Sequence, residues 1–206
     1  MPLFWFAKPD PKYNPLTVNY DKDIKLVTAR SPAINNSTDI SDFIDRGGKL
    51  IFYHGLSDSG PPWPYTVEYF HKVAERQATR SLFTFARDGG RGDSNQGLHK
   101  ASDFMKLYLV PNMGHCGGNA STDKFDMLTP LVNWVENTVE PDTVVATGTN
   151  FSSTLGTLTG LPTTRSRPLC PYPQTLRYTG PAGGDISVAS NYACVDGHFH
   201  KFEDHD

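Results

Sequence analysis

The stretch GGKLIFYHGLSDSG, residues 47–60, decides the fold of this 206-residue chain. Its apolar run, rich in strand formers and bounded by glycines, predicts a buried β-strand over 47–55. A serine in a Gly-rich turn after such a strand is how a serine nucleophile is presented. Here, though, Gly55-Leu56-Ser57-Asp58-Ser59-Gly60 is one residue too long for G-x-S-x-G. The turn therefore offers Asp58 as its functional residue, and Ser57 has the wrong geometry for attack.

The segments on either side extend the pattern. In PPWPYTVEYFHKVAERQ, Val67, Phe70, Val73 and Ala74 recur at three- and four-residue spacing behind prolines that suit a helix entrance, so 65–78 is predicted as a helix. SLFTFARDGGRGDSNQGLHKAS begins as a candidate strand and becomes a polar, Gly-rich loop. DFMKLYLVPNMGHC predicts a second buried strand, ending before Pro111 in a loop that carries His115. In FDMLTPLVNWVENTVEP, Phe125, Leu128, Leu131, Val132 and Val135 share a helical face, and Pro141 enforces the stop. DTVVATGT is a short strand candidate. Residues 1–46 read as extended and loop-like, and about 150–206 as an irregular tail. The expectation is a single domain over 1–206 with its core at about 47–148.

Strand, helix, strand, helix in that order makes the class α/β with a parallel sheet. Functional residues in such sheets lie just past the carboxyl ends of the strands. Asp58 follows the first strand and His115 the second, so two potential members of one proton relay emerge on one sheet edge. Asp before His is also the chain order in hydrolases that keep an orienting acid and a base on late strands. The residues upstream of Asp58 hold no G-x-S-x-G, and Ser31, Ser37 and Ser41 lie in polar loop sequence.

Bulk composition narrows the function classes. A 37% hydrophobic fraction with 18 glycines and 16 prolines implies much turn structure around few regular elements. A net charge of -3 with interspersed signs suggests neither nucleic acid nor an acidic membrane surface as partner. No apolar run is long enough to cross a membrane. The start of the sequence lacks a basic region followed by an apolar one, so no signal peptide is read there. Of three cysteines, Cys170 and Cys194 sit in polar, loop-like sequence that suits a disulfide, which leaves Cys116 beside His115 as an orphan thiol. Sequons at Asn35, Asn36, Asn119 and Asn150 agree with a secreted glycoprotein.

GGKLIFYHGLSDSG, LVPNMGHCGG with FDMLTPLVNWVENTVEPD after it, and RSRPLCPYPQTLRYTG with its later YAC together resemble the C-terminal part of the tannase and feruloyl esterase family, over roughly residues 8–195. The resemblance implies a partial α/β-hydrolase fold and a secreted ester hydrolase acting on phenolic-acid esters through a Ser-Asp-His triad. Asp58 takes the place of the acid and His115 that of the base; by their own positions beside the acid loop, His54 and Trp63 are read as close to a substrate. The family's Cys after the His bonds a Cys just before the catalytic Ser. Cys116 matches the first, while the serine elbow, its Cys and the substrate-recognising, calcium-binding lid have no counterpart here. A C-terminal fragment, weak or inactive alone, with an intact Cys170–Cys194 bridge and a free Cys116 is therefore expected. A further chain could supply the missing Ser. No cofactor or metal is expected within this chain.

The alternative class is a non-catalytic secreted binding module on the same remnant. His54 and Asp58 have an H-x-x-x-D spacing that ligates metal on a helix, but they lie at a strand end. The RGD at 91–93 reads as loop composition, and His198, His200 and His205 as a solvated tail. If the neighbouring strands are missing, the first strand would also expose an unpaired edge.

Overall fold

The computed structural model describes residues 14–17, 19, 21–22, 37–86, 100–149, 151 and 162–198. The chain divides into two units, Met1–Thr38 and Asp39–Asp206. In the first, Pro15–Thr17 forms a 3₁₀ turn, with the Asn14 side chain accepting the Leu16 N–H at 3.0 Å. RGD 91–93, Asn35, Asn36, Asn150, His200 and His205 lie outside the described residues.

The second unit runs α1 (Ser41–Asp45), β1 (Leu50–Gly55), α2 (Trp63–Ala86), β2 (Met105–Val110), α3 (Leu128–Asn137), β3 (Val144–Gly148), β4 (Arg165–Leu169), β5 (Thr175–Tyr178) and β6 (Tyr192–Val195). β1 and β2 pair in parallel, Leu50 against Met105 through Gly55 against Val110, as the alternation of strand and helix signals implies. Side chains alternate across this pair. One face gives Leu50, Phe52, Met105 and Leu107 to a core shared with Val67, Phe70, Val73 and Ala74 of α2. The other gives Ile51, Tyr108 and Val110 to a second core with Val144 and Ala146 of β3 and Leu169 of β4.

Three expectations change. Residues 41–45 form a helix where an extended segment was expected. α2 continues to Ala86, so SLFTF is helical and not the start of a strand; its alternating apolar residues suit either period over so short a run. Among the described residues the tail beyond 150 is not wholly irregular, for it holds β4, β5 and β6. DTVVATGT, read as a short strand, forms β3, which joins β4 in an antiparallel pair, and the described strands form three two-stranded sheets.

The apolar face read for α3 is also turned outward in part, with Phe125 and Leu131 partly buried. Leu128, Val132 and Val135 are exposed, and the helix meets the core through Trp134, whose ring lies 5.0 Å from Lys49 Nζ and 5.9 Å from Lys106 Nζ. Asp126 caps the start, accepting the Leu128 and Thr129 N–H groups at 2.9 and 3.0 Å. Thr138 in the left-handed region ends the helix ahead of Pro141.

The tail closes over the free side of β2. Tyr172 N–H donates to the Leu107 carbonyl at 2.8 Å, Pro171 bridges Tyr108 in antiparallel fashion, and the Tyr172 hydroxyl lies 3.0 Å from His71 Nε2. β1 has no strand on its other edge among the described residues. The Cys170–Cys194 disulfide ties the end of β4 to β6 across 24 residues of sequence. Closing a loop of that size restricts the unfolded chain, so Cys170→Ser with Cys194→Ser should cost about 3 kcal/mol. The expected readout is a lower urea midpoint; an unmoved midpoint would show that the tail is held without the bond.

Candidate active site at the strand ends

The carboxyl ends of β1 and β2 are laced together by backbone. Leu56 N–H donates to the Val110 carbonyl at 3.0 Å, Ser57 N–H to the Met113 carbonyl at 3.0 Å, and Asp58 N–H back to the Gly55 carbonyl at 3.1 Å. This tight turn aims the Asp58 carboxylate at the loop after β2. Asp58 Oδ2 accepts from His115 Nδ1 at 2.8 Å, and Oδ1 accepts the Gly60 N–H at 2.7 Å. The acid is buried, its side chain 4% exposed, while the His115 ring is 67% exposed.

A carboxylate that stays ionised can only accept, so His115 carries its proton on Nδ1 and leaves Nε2 as the outward basic nitrogen. The His115 hydrogen bond is the main cause holding Asp58 below the ordinary carboxylate range; the Gly60 N–H and the positive character of His115 and His54 add to it, against burial. Since the folded state depresses this acid, its contribution is complete above the usual carboxylate range and is lost only as pH falls through the lower folded value.

His54 stands behind the pair. Its Nε2 lies 3.0 Å from the Pro61 carbonyl, which cannot donate, so Nε2 carries a proton. Its Nδ1 lies 2.7 Å from Thr66 Oγ1, which donates to it when the ring is neutral. Asp58 Oδ2 is 3.6 Å from the same Nε2. With both nitrogens engaged, His54 acts as a buttress for the acid turn and has no lone pair left for a metal. Among the described residues no group of three or more His, Cys, Asp or Glu could hold a metal ion, and no helix is long and apolar enough to cross a membrane.

Sequence reasoning missed Thr66 and a second acid, Asp123. Asp123 is 3% exposed, and its Oδ2 accepts the Gly118 N–H at 2.7 Å, which is the main cause of its lowered pKa. Ser121 Oγ donates to the Gly118 carbonyl at 2.6 Å, so the loop after His115 is pinned from both sides. Gly117 and Gly118 adopt φ of +122° and +80°, which the paired glycines in the sequence make affordable. The paired glycines were the legible signal; Asp123, five residues on, was not.

Cys116 is exposed and free, and Asn119 is exposed in the same loop. Ser57 is exposed, and no hydrogen bond joins it to His115 among the described residues. Trp63 opens α2 and is half-buried against the core shared with Val67 and Phe70.

Comparison with known proteins places this geometry in context. The family model described as "Tannase and feruloyl esterase" matches residues 6–195. The mono(2-hydroxyethyl) terephthalate hydrolase of Piscinibacter sakaiensis is 42% identical over 159 residues, which is 77% of this chain and 22% of that protein. The tannase of Aspergillus oryzae is 29% identical over 150 residues, 71% of this chain and 22% of that protein. Among solved structures, feruloyl esterase B from Aspergillus oryzae superposes with a TM-score of 0.60 at 22% identity, covering 91% of this chain and 35% of that one. The chain thus spans about a fifth to a third of the length of these relatives.

Proposed function

The chain belongs to the tannase and feruloyl esterase family of carboxylic ester hydrolases, and from that membership together with the Asp58–His115 geometry we propose that it carries the acid and base of a serine esterase acting on phenolic-acid esters. The supporting observation is the 2.8 Å bond from His115 Nδ1 to a buried Asp58, at the ends of two parallel strands, with Nε2 left toward solvent. The serine comes from polypeptide outside these 206 residues. Its Oγ attacks the ester carbonyl carbon as His115 Nε2 takes its proton. Collapse of the tetrahedral intermediate breaks the bond to the alcohol, which leaves with that proton and yields the acyl-enzyme. Water repeats the sequence, releasing the phenolic acid and restoring the serine. Asp58 orients the ring and stabilises the imidazolium throughout. An exposed, free Cys116 supports a further reading, a disulfide from this loop to a cysteine beside that serine. The Cys170–Cys194 bridge supports a secreted, oxidising setting.

The test is a chimera in which this chain replaces the matching part of the Piscinibacter sakaiensis hydrolase. The chimera should turn over an aryl ester, and the 206-residue chain alone should stay near the buffer rate. A folded chimera that keeps its turnover with both Asp58→Asn and His115→Ala sinks the reading. So does turnover by the isolated chain that is lost in His115→Ala, because a nucleophile would then lie within it.

A further inference from the structure

The His115 ring is 67% exposed, and among the described residues its hydrogen-bond partner is Asp58 Oδ2 alone. With so little packing around the ring, its place beside Asp58 is set by the backbone of its own loop. Ahead of His115 that backbone is held by the Ser57 N–H, which donates to the Met113 carbonyl at 3.0 Å. Beyond it, Gly117, Gly118 and Asn119 take positive φ of 122°, 80° and 57° in succession. A run of this kind persists only where its surroundings over-determine it.

The group that holds the run is Asp123, a buried carboxylate for which the proposed reaction has no use. Its Oδ2 accepts the Gly118 N–H at 2.7 Å, and Ser121 Oγ donates to the Gly118 carbonyl at 2.6 Å, so both backbone groups of Gly118 are taken. Asp123 is in turn anchored to β3. Its neighbour Lys124 exchanges two backbone bonds with Thr147, at 2.9 and 2.8 Å, and Gly148 leaves no room for a side chain against the Ser121 carbonyl. The cation within ion-pair reach of Asp123 is Lys124, its Nζ at 3.6 Å, and that side chain is 70% exposed, where solvent screens the attraction. The bond to Gly118 is therefore the main use of this acid. The path from framework to base is short: β3 fixes Lys124, Asp123 ties Gly118, and Gly118 lies three residues after His115.

We propose that Asp123 is a positioning residue for His115, its hydrogen bond to Gly118 holding the imidazole where Nδ1 meets Asp58. That His115 is a base rests on the esterase reading, whereas its placement is measurable in the isolated chain, so the two can fail separately.

The His115 Nδ1 proton, observed by NMR of the isotope-labelled full chain, tests the placement. Asp123→Ala should move this resonance upfield or broaden it away. Asp123→Asn should keep it near its native position, because the amide oxygen can accept from Gly118 as the carboxylate does. Asp123→Glu keeps the charge but is one methylene longer, so it should displace the resonance. An electrostatic role for Asp123 would reverse that order. Ser121→Ala removes the other hold on Gly118 and should shift the resonance the same way by less, which keeps the test open if the alanine variant at 123 does not fold. The amide spectrum of each variant reports its folding. In a chimera whose turnover His115→Ala abolishes, Asp123→Ala should lower kcat roughly tenfold to a hundredfold with little change in KM, as misplacement of a reacting group does. A native resonance in folded Asp123→Ala and Ser121→Ala overturns the proposal, even if the denaturant midpoint falls. So does a resonance lost as fully in Asp123→Asn as in Asp123→Ala, or an unchanged kcat in that chimera.

Discussion

Asp58→Asn, introduced into a chimera that supplies the serine, is expected to lower kcat roughly 10⁴-fold with little change in KM. The substitution preserves size, and the amide oxygen can still accept the Gly60 N–H that Asp58 Oδ1 now holds at 2.7 Å. What changes is the atom facing His115 Nδ1, where the carboxylate oxygen now sits at 2.8 Å. An amide NH2 there donates, so His115 must accept on Nδ1 and carry its proton on Nε2. That tautomer cannot take a proton from a serine. In the proposed mechanism the buried carboxylate is also the counter-charge for the imidazolium formed in the transition state, and the amide is neutral. His115→Ala should be at least as damaging. A loss of under about tenfold for Asp58→Asn, beside a severe loss for His115→Ala, would leave Asp58 only the shaping of its turn.

The meeting of Asp58 and His115 was legible because its logic is topological. Two buried strands separated by a helix must run parallel, and the residues just past their ends must meet on one edge. Asp58 and His115 needed only that rule, and β1 and β2 were long enough apolar runs to reveal it. Thr66 and Asp123 were not legible, because each acts by reaching a partner that only the folded turn brings near, His54 Nδ1 for one and the Gly118 N–H for the other. The tail failed for a different reason. RSRPL, TLRY and YACV are four or five residues long, and the first contains a proline, so neither length nor alternation marks them as strands. Their pairing depends on partners far away in sequence. In α3 the apolar spacing correctly predicted a helix but not its buried face, because a single large ring, Trp134, outweighs three smaller side chains for contact with the sheet.

Gly55→Ala is the second substitution with a large expected effect, and it separates the framework from the chemistry. A β-carbon at this position would lie 2.2 Å from the Met113 carbonyl oxygen and 2.6 Å from that of Gly114. Both are backbone atoms, so no side-chain rotation relieves the clash. The end of β1 and the loop before His115 would have to part, against the Ser57 to Met113 and Leu56 to Val110 hydrogen bonds that hold them. Overpacking of this kind costs about 3 kcal/mol. The same displacement pulls Asp58, three residues after Gly55, away from His115, two residues after Met113. Gly55→Ala should therefore lower the denaturant midpoint of the isolated chain and weaken the Asp58–His115 hydrogen bond, visible as an upfield shift or loss of the His115 Nδ1 proton resonance. Asp58→Asn alters that resonance with little change in the midpoint. If Gly55→Ala left both the midpoint and the resonance unchanged, the close approach of these two loops would not be what brings acid and base together.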